Sequence, residues 1–278
     1  MKRRLRSLYE NFTRPRVFCD LKTTLGTGAG YLEVAVDGLP SLQILETVYP
    51  DLRLHCEPGE HAPEMKAFLG VCRTLGCLVD VGSHNGFFSL LFARSHEGNR
   101  VLAFEPSLDL RTRAEHMAGI NGVAPRVEFS DTALGAESGP ADFFQDPASG
   151  FVQKQAFAGH EAAGFLSVKI AMSTLDEECQ RRGFFPTVLK IDVEGYEWEV
   201  LRGAEETLRR YRPVIFLELH LGFLEERGMD PKELLIWMKG LGYEWNRCGD
   251  DRSKGMDVLG TWASVVRLVA RSRGNSTH

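Results

Sequence analysis

Cys77-Leu78-Val79-Asp80-Val81-Gly82-Ser83-His84-Asn85-Gly86 is a short apolar run that breaks into a glycine-bounded turn, and residues 87–95 after it carry helical periodicity. Strand, tight turn and helix in that order form the opening unit of an open α/β sheet, where ligands bind outside the carboxyl ends of the strands. Gly82 and Gly86 let the backbone approach a ligand closely, and the helix behind them offers free N–H groups. Asp80 places a carboxylate that suits the ammonium of an amino-acid-like ligand, directly or through water, and that would repel a pyrophosphate. The spacing Gly-x-x-x-Gly also departs from the G-x-G-x-x-G dinucleotide fingerprint.

Outward from this unit, short apolar runs alternate with helical stretches. Strands are expected at 77–81, 100–104, 126–130, 188–193, 214–219, 244–247 and 263–268, and helices at 87–95, 108–121, 197–211 and 231–241. Several strands read as nearly continuous apolar runs, which suits a sheet covered by helices on both faces. The pattern predicts an α/β, Rossmann-like, doubly wound and mostly parallel seven-stranded sheet. Its last two strands have no helix between them and should pair antiparallel. This domain is expected over 76–278, with a Gly/Pro/Ala-rich insertion at about 133–173 near the active face.

Residues 1–75 read as an N-terminal extension of helix and short strands serving substrate or oligomer contacts. Leu5, Leu8 and Phe12 have amphipathic-helix spacing. Gly26-Thr27-Gly28-Ala29-Gly30 lacks the Gly-Lys-Ser/Thr ending of a phosphate loop and reads as a flexible turn. Leu32 to Val36, followed by Asp37-Gly38, reads as a strand and hairpin turn, and 63–75 as a helix.

The bulk composition excludes several classes. A net charge of −5 over 278 residues gives no general attraction to nucleic acid or membrane. No stretch approaches 18 consecutive apolar residues, so no membrane span is expected, and the basic start lacks the apolar run of a signal peptide. Six cysteines without a C-x-x-C pair resemble neither a zinc site nor a disulfide framework, as expected of reduced thiols in a cytoplasmic protein. The extension leaves room for a homodimer.

Glu105 closes the second core strand, 25 residues after Asp80, where a carboxylate suits the two hydroxyls of a ribose. Asp131, at the end of the third strand, is placed either to accept from the exocyclic amine of adenine or simply to end the strand in a turn. Asp80, Gly82, His84, Gly86, Glu105 and Asp131 thus form a candidate cofactor set, and it describes S-adenosyl-L-methionine better than a nicotinamide dinucleotide. Strand alternation puts Lys190, Asp192 and Glu194 on one face, opposite Leu189, Ile191 and Val193; Glu218 and His220 alternate with Leu217 and Leu219 in the same way. Charges on an otherwise buried strand are costly unless paired, so these are either chemistry or a structural ion-pair cluster.

Asp80-Val81-Gly82 with Gly86, Phe104-Glu105-Pro106, Thr174-Leu175-Asp176, Lys190-Ile191-Asp192-Val193-Glu194-Gly195 with Glu197 and Leu201-Arg202-Gly203-Ala204, and Glu218-x-His220 resemble the FkbM-family methyltransferases over about 77–220. The family usually has Asn two residues after the glycine at Gly82; here that residue is His84, with Asn85 following. The resemblance implies a class I methyltransferase type of fold and S-adenosylmethionine-dependent methylation, commonly of oxygen on small-molecule or sugar hydroxyls.

Such transfer is an in-line displacement needing alignment of the acceptor and removal of its proton. His220, with an ordinary pKa of about 6.5, is the expected base, with Glu218 or Asp192 orienting it or acting instead. Asp192 and Glu194 offer an alternative as ligands of a divalent cation such as Mg²⁺, which is not expected. Two rival classes are an NAD(P)-dependent oxidoreductase on the same sheet and a catalytically silent cofactor-binding subunit.

Overall fold

A computed structural model describes residues 21–25, 30–146, 152–154, 164–248, 250–254, 259 and 264–273. The basic start with Leu5, Leu8 and Phe12 lies outside them, as do residues 26–29 of the glycine-rich run. β1 (Leu21–Leu25), β2 (Tyr31–Val36) and β3 (Leu42–Leu45) form a small antiparallel sheet, followed by helices α1 (Tyr49–Cys56) and α2 (Ala62–Cys72).

The central sheet then begins. β4 (Cys77–Val81) and α3 (Phe87–Ser95) are followed by β5 (Arg100–Phe104), α4 (Leu108–Ile120) and β6 (Val127–Ser130). A second small sheet, built from β7 (Ala133–Leu134), β8 (Gly139–Gln145), β9 (Val152–Gln153) and β10 (Leu166–Ser173), occupies the expected insertion. α5 (Leu175–Arg182), β11 (Val188–Ile191), α6 (Glu197–Arg202), α7 (Glu205–Tyr211) and β12 (Val214–His220) continue the winding. α8 (Leu221–Glu226), α9 (Pro231–Gly240), β13 (Tyr243–Arg247), β14 (Asp250–Lys254) and β15 (Val265–Ser272) complete the order.

The strands run β14-β13-β15-β12-β11-β4-β5-β6. β6, β5, β4, β11 and β12 are parallel, and β15 is antiparallel to both of its neighbours, β12 and β13, so β13 runs in the direction of β12. The seven expected strands are therefore present, with β14 added at the edge. From β4 the chain moves to β5 on one side, and from β11 to β12 on the other, so the switch point lies between β4 and β11.

Two boundaries differ from expectation for local reasons. The single helix expected over 197–211 is two helices. Gly203 passes against the carbonyl of Gly135 too closely for a Cβ, and Asp176 caps the new helix start by accepting from Glu206 N (3.0 Å) and Thr207 N (2.7 Å). The strand expected to reach residue 193 ends at Ile191; Glu194 (φ 52°) and Gly195 (φ 92°) form a left-handed turn. Glu194 is therefore not on the strand face with Lys190 and Asp192, and strand alternation does not account for its position.

Alternate residues of each strand enter two separate cores. Val79, Val81, Leu189, Ile191, Leu217 and Leu268 pack with α5, α6, α7 and α9 on one face. On the other face Leu78, Val101, Phe216 and Val269 pack with Met65 and Phe68 of α2, Leu52 of α1 and Leu42 of β3. Residues 31–72 thus share the hydrophobic core of the sheet. Among the described residues no helix is long and apolar enough to cross a membrane.

Candidate active site

A cavity of about 260 Å³ opens at the carboxyl ends of β4, β5, β11 and β12. Its first wall is the turn after β4. Gly82 has φ 78°, and a Cβ there would overlap the carbonyl oxygen of Asp192, so only glycine lets the turn lie against the end of β11. His84, at φ 51°, is also left-handed, a region in which Asn, Asp and His are the enriched non-glycine residues. That backbone accommodates His at this position of the turn.

Glu105 forms the neighbouring wall. Its Oε2 accepts from His84 N (2.8 Å) and its Oε1 from Ser107 N (2.9 Å). Burial pushes its carboxyl up to about 7, against the pull of those two N–H groups. Each oxygen keeps a further lone pair for a hydroxyl donor.

Other residues of the expected cofactor set lie off the cavity wall. Asp80 is 1% exposed beneath the turn and accepts from the Ser89 hydroxyl (2.7 Å). Burial raises its carboxyl pKa, opposed by Lys190 beside it in register. Gly86 packs toward Ala114 of α4. Asp131 is exposed, while the next residues, Thr132 and Ala133, line the cavity.

The charged positions of the strands all project to the face covered by α1 and α2. Lys190 Nζ lies 3.2 Å from Asp192 Oδ2 and 4.0 Å from Glu64 Oε1 of α2. Arg267, opposite Glu218 in the β12–β15 register, pairs with it and approaches Glu64 at 3.8 Å. Burial opposes the charge of Lys190, yet Asp192, Glu64, Glu218 and Asp80 together hold its pKa well above the ordinary value. Burial likewise works against Asp192, but Lys190 and His220 keep its carboxyl below the usual range. Glu218 is pushed up to about 8, first by burial and then by Asp192 and Glu64.

His220 is bracketed by carboxylates. Its Nδ1 lies 2.7 Å from Glu197 Oε1, and its Nε2 lies 3.1 Å from Glu194 Oε2 and 4.0 Å from Asp192 Oδ1. Burial alone would lower its pKa; Glu197, Glu194 and Asp192 overcome that and raise it to about 9. The surroundings thus move His220 away from the ordinary pKa expected of it. At neutral pH the ring already carries its second proton and has no lone pair to offer.

Ligand atoms of Asp192, Glu218 and His220 lie within 4.8 Å of one another, close enough to share a cation. Each is already in an ion pair, with Lys190, Arg267 and the Glu194–Glu197 carboxylates respectively. The alternative ligands, Asp192 and Glu194, both face His220 Nε2.

Sequence reading missed four residues of this site: His55, His61, Glu64 and Arg267. The two histidines line the cavity from α1 and the turn after it. Glu64 sits one helical turn before Phe68 on the buried stripe of α2, and Arg267 interrupts the apolar run of β15. A charge on a buried stripe was the available signal in both cases.

The family model for the methyltransferase FkbM domain matches residues 80–245. Among solved structures, the methyltransferase FkbM from Methylobacillus flagellatus KT aligns at 15% identity and TM-score 0.45, covering 70% of this chain and 43% of that one. The O-methyltransferase TomG from Streptomyces achromogenes, involved in tomaymycin synthesis and solved with S-adenosylmethionine, aligns at 13% identity and TM-score 0.46, covering 84% of this chain and 92% of that one. No curated protein matches the chain. The doubly wound α/β sheet is of class I methyltransferase type, and the chain belongs to the FkbM methyltransferase family.

Proposed function

We propose that this protein is an S-adenosylmethionine-dependent O-methyltransferase acting on a hydroxyl of a small molecule or sugar. The observation that carries the reading is one cavity shared by the Gly82 turn, the Glu105 carboxylate and the charged ends of β11 and β12. The glycine cradle and the remaining lone pairs of Glu105 fit an amino-acid-bearing nucleoside. Glu105 would accept from the ribose hydroxyls, and the chain at Gly82 would lie along the amino-acid portion. Asp80 would act from beneath the turn, and Thr132, with Asp131 beside it, would border the base. When bound, S-adenosylmethionine supplies a methyl group already activated as a sulfonium.

The chain's own residues orient the acceptor and manage its proton. Asp192 and Glu194 present carboxylate oxygens that can accept from hydroxyls, and the protonated His220 holds both in place. The free thiols of Cys72, Cys77, Cys179 and Cys248 accord with the cytoplasmic location that belongs to this reading.

Calorimetric titration with S-adenosylmethionine and S-adenosylhomocysteine, with NADH as control, tests the cofactor. Micromolar binding of the first two and none of NADH is expected. Binding of NADH alone would overturn the reading. A protein that binds cofactor yet transfers no methyl group to any sugar or small-molecule hydroxyl would favour a silent subunit.

A further inference from the structure

We propose that His55, from the N-terminal segment ahead of the family-matched region, contacts the acceptor hydroxyl and receives its proton. This rests on the methyl-transfer reading of the same cavity and assigns its missing base.

The other carboxylates and imidazoles on the cavity wall each have at least one polar partner. Asp192 is paired with Lys190, Glu218 with Arg267, and Glu194 with His220. Glu105 accepts two backbone N–H groups, and His84 Nδ1 lies 3.1 Å from the Asn85 amide nitrogen. His61 Nε2 faces Arg267 at 3.4 Å. His55 Nδ1, like His61 Nδ1, is buried without a hydrogen-bond partner, and the His55 ring is fixed edge-on against His61 (5.1 Å) and Phe88 (5.2 Å). A ring held in orientation by packing, without a polar partner, is pre-organised for a ligand.

The surroundings keep it neutral. Burial is the main cause, and Lys190 of β11, His61 and Arg267 of β15 act with it, against Asp192, to lower its pKa to about 3. A neutral imidazole keeps one nitrogen lone pair at physiological pH. Such a weak base does not ionise an alcohol beforehand. As the acceptor oxygen bonds to the methyl carbon and the carbon–sulfur bond breaks, its electron pair remains on sulfur and the oxygen becomes an oxonium. That oxonium is strongly acidic, and its proton passes to His55 and then to water.

The test compares wild type with His55→Asn and His55→Ala. It uses isotopically labelled S-adenosylmethionine and a panel of methyl glycosides as acceptor probes, with S-adenosylhomocysteine affinity measured on each protein. Both variants should lose turnover by about a hundredfold or more while binding S-adenosylhomocysteine as wild type does. Variants that bind it normally and turn over like wild type overturn the proposal. Failure of wild type itself to bind S-adenosylhomocysteine would instead sink the methyltransferase reading. A readout independent of turnover is ¹⁵N-histidine NMR of the S-adenosylhomocysteine complex. The His55 ring should stay neutral well below pH 6 and shift on adding a glycoside; a ring that titrates normally, or responds to none of the probes, overturns the assignment.

Discussion

His220 Nδ1 and Glu197 Oε1 lie 2.7 Å apart in a buried pair, and the same carboxylate oxygen accepts from Gly195 N at 2.9 Å. Glu197 thereby ties the left-handed turn at Glu194–Gly195 to the end of β12 and fixes which nitrogen of His220 faces Asp192 and Glu194. The pair makes His220 a cationic strut of the site.

A strut of this kind leaves a pH signature. The His220 pKa is raised from 6.5 to about 9, so its stabilisation is fully present below pH 6.5 and lost as pH rises through about 9. The shift corresponds to on the order of 3 kcal/mol. Urea unfolding of wild type and His220→Gln should show the stability gap closing by that order between mildly acidic and strongly alkaline pH. A gap independent of pH would mean that His220 is neutral in the fold.

Glu105 is expected to govern cofactor affinity. Replacing it with Ala removes a carboxylate that receives His84 N and Ser107 N, and with it the lone pairs left for a ribose. Loss of a hydrogen bond to a charged group costs about 1.5–3 kcal/mol, so S-adenosylhomocysteine should bind roughly ten- to a hundredfold more weakly. Calorimetry with Glu105→Ala and the milder Glu105→Gln checks this. Unchanged affinity in both would remove Glu105 from the cofactor wall.

Lys190 carries the buried network. It stands among Asp192, Glu64, Glu218 and Asp80, and Lys190→Met would leave these carboxylates with only Arg267 and His220 as positive neighbours. Removing one partner of a buried ion pair typically costs about 3–5 kcal/mol. Denaturant melts should show a loss of that order, with partial recovery when Glu64→Gln is added, because the second change removes one uncompensated charge. A fully additive double variant would show that Glu64 and Lys190 do not interact.

How much of this was legible in the sequence depended on where each residue's partners come from. The sheet was legible because Leu78 to Val81 and Leu189 to Ile191 announce strands by composition, and each is followed by its own glycine turn. Glu105 was legible because strand end and turn are contiguous in the chain. Glu197 was recognised as part of a motif, but its bond to His220 spans 23 residues and two elements, and no local pattern encodes it. The pKa of His220 follows from that bond and could not be assigned from residue type. His55 and His61 were missed for the same reason: the end of α1 and the turn after it look ordinary until the fold brings them to the cavity beside Asp192 and Glu218.

The donor set of Asp192, Glu218 and His220 invites a last prediction about metals. Their ligand atoms lie within 4.8 Å, yet Lys190, Arg267 and the carboxylates around His220 already occupy them. A divalent cation would have to displace Lys190 from Asp192 and deprotonate His220 inside a cluster that includes two fixed positive side chains. Methyl transfer and S-adenosylhomocysteine affinity should therefore be indifferent to a chelator and to added Mg²⁺. Thermal melts should be equally indifferent, since a cation that binds only the folded chain would raise its stability. A melting temperature that rises with Mg²⁺, and that returns to its starting value in Asp192→Asn, would overturn this prediction. It would also show that Lys190 and Arg267 hold the carboxylates only until the cation arrives.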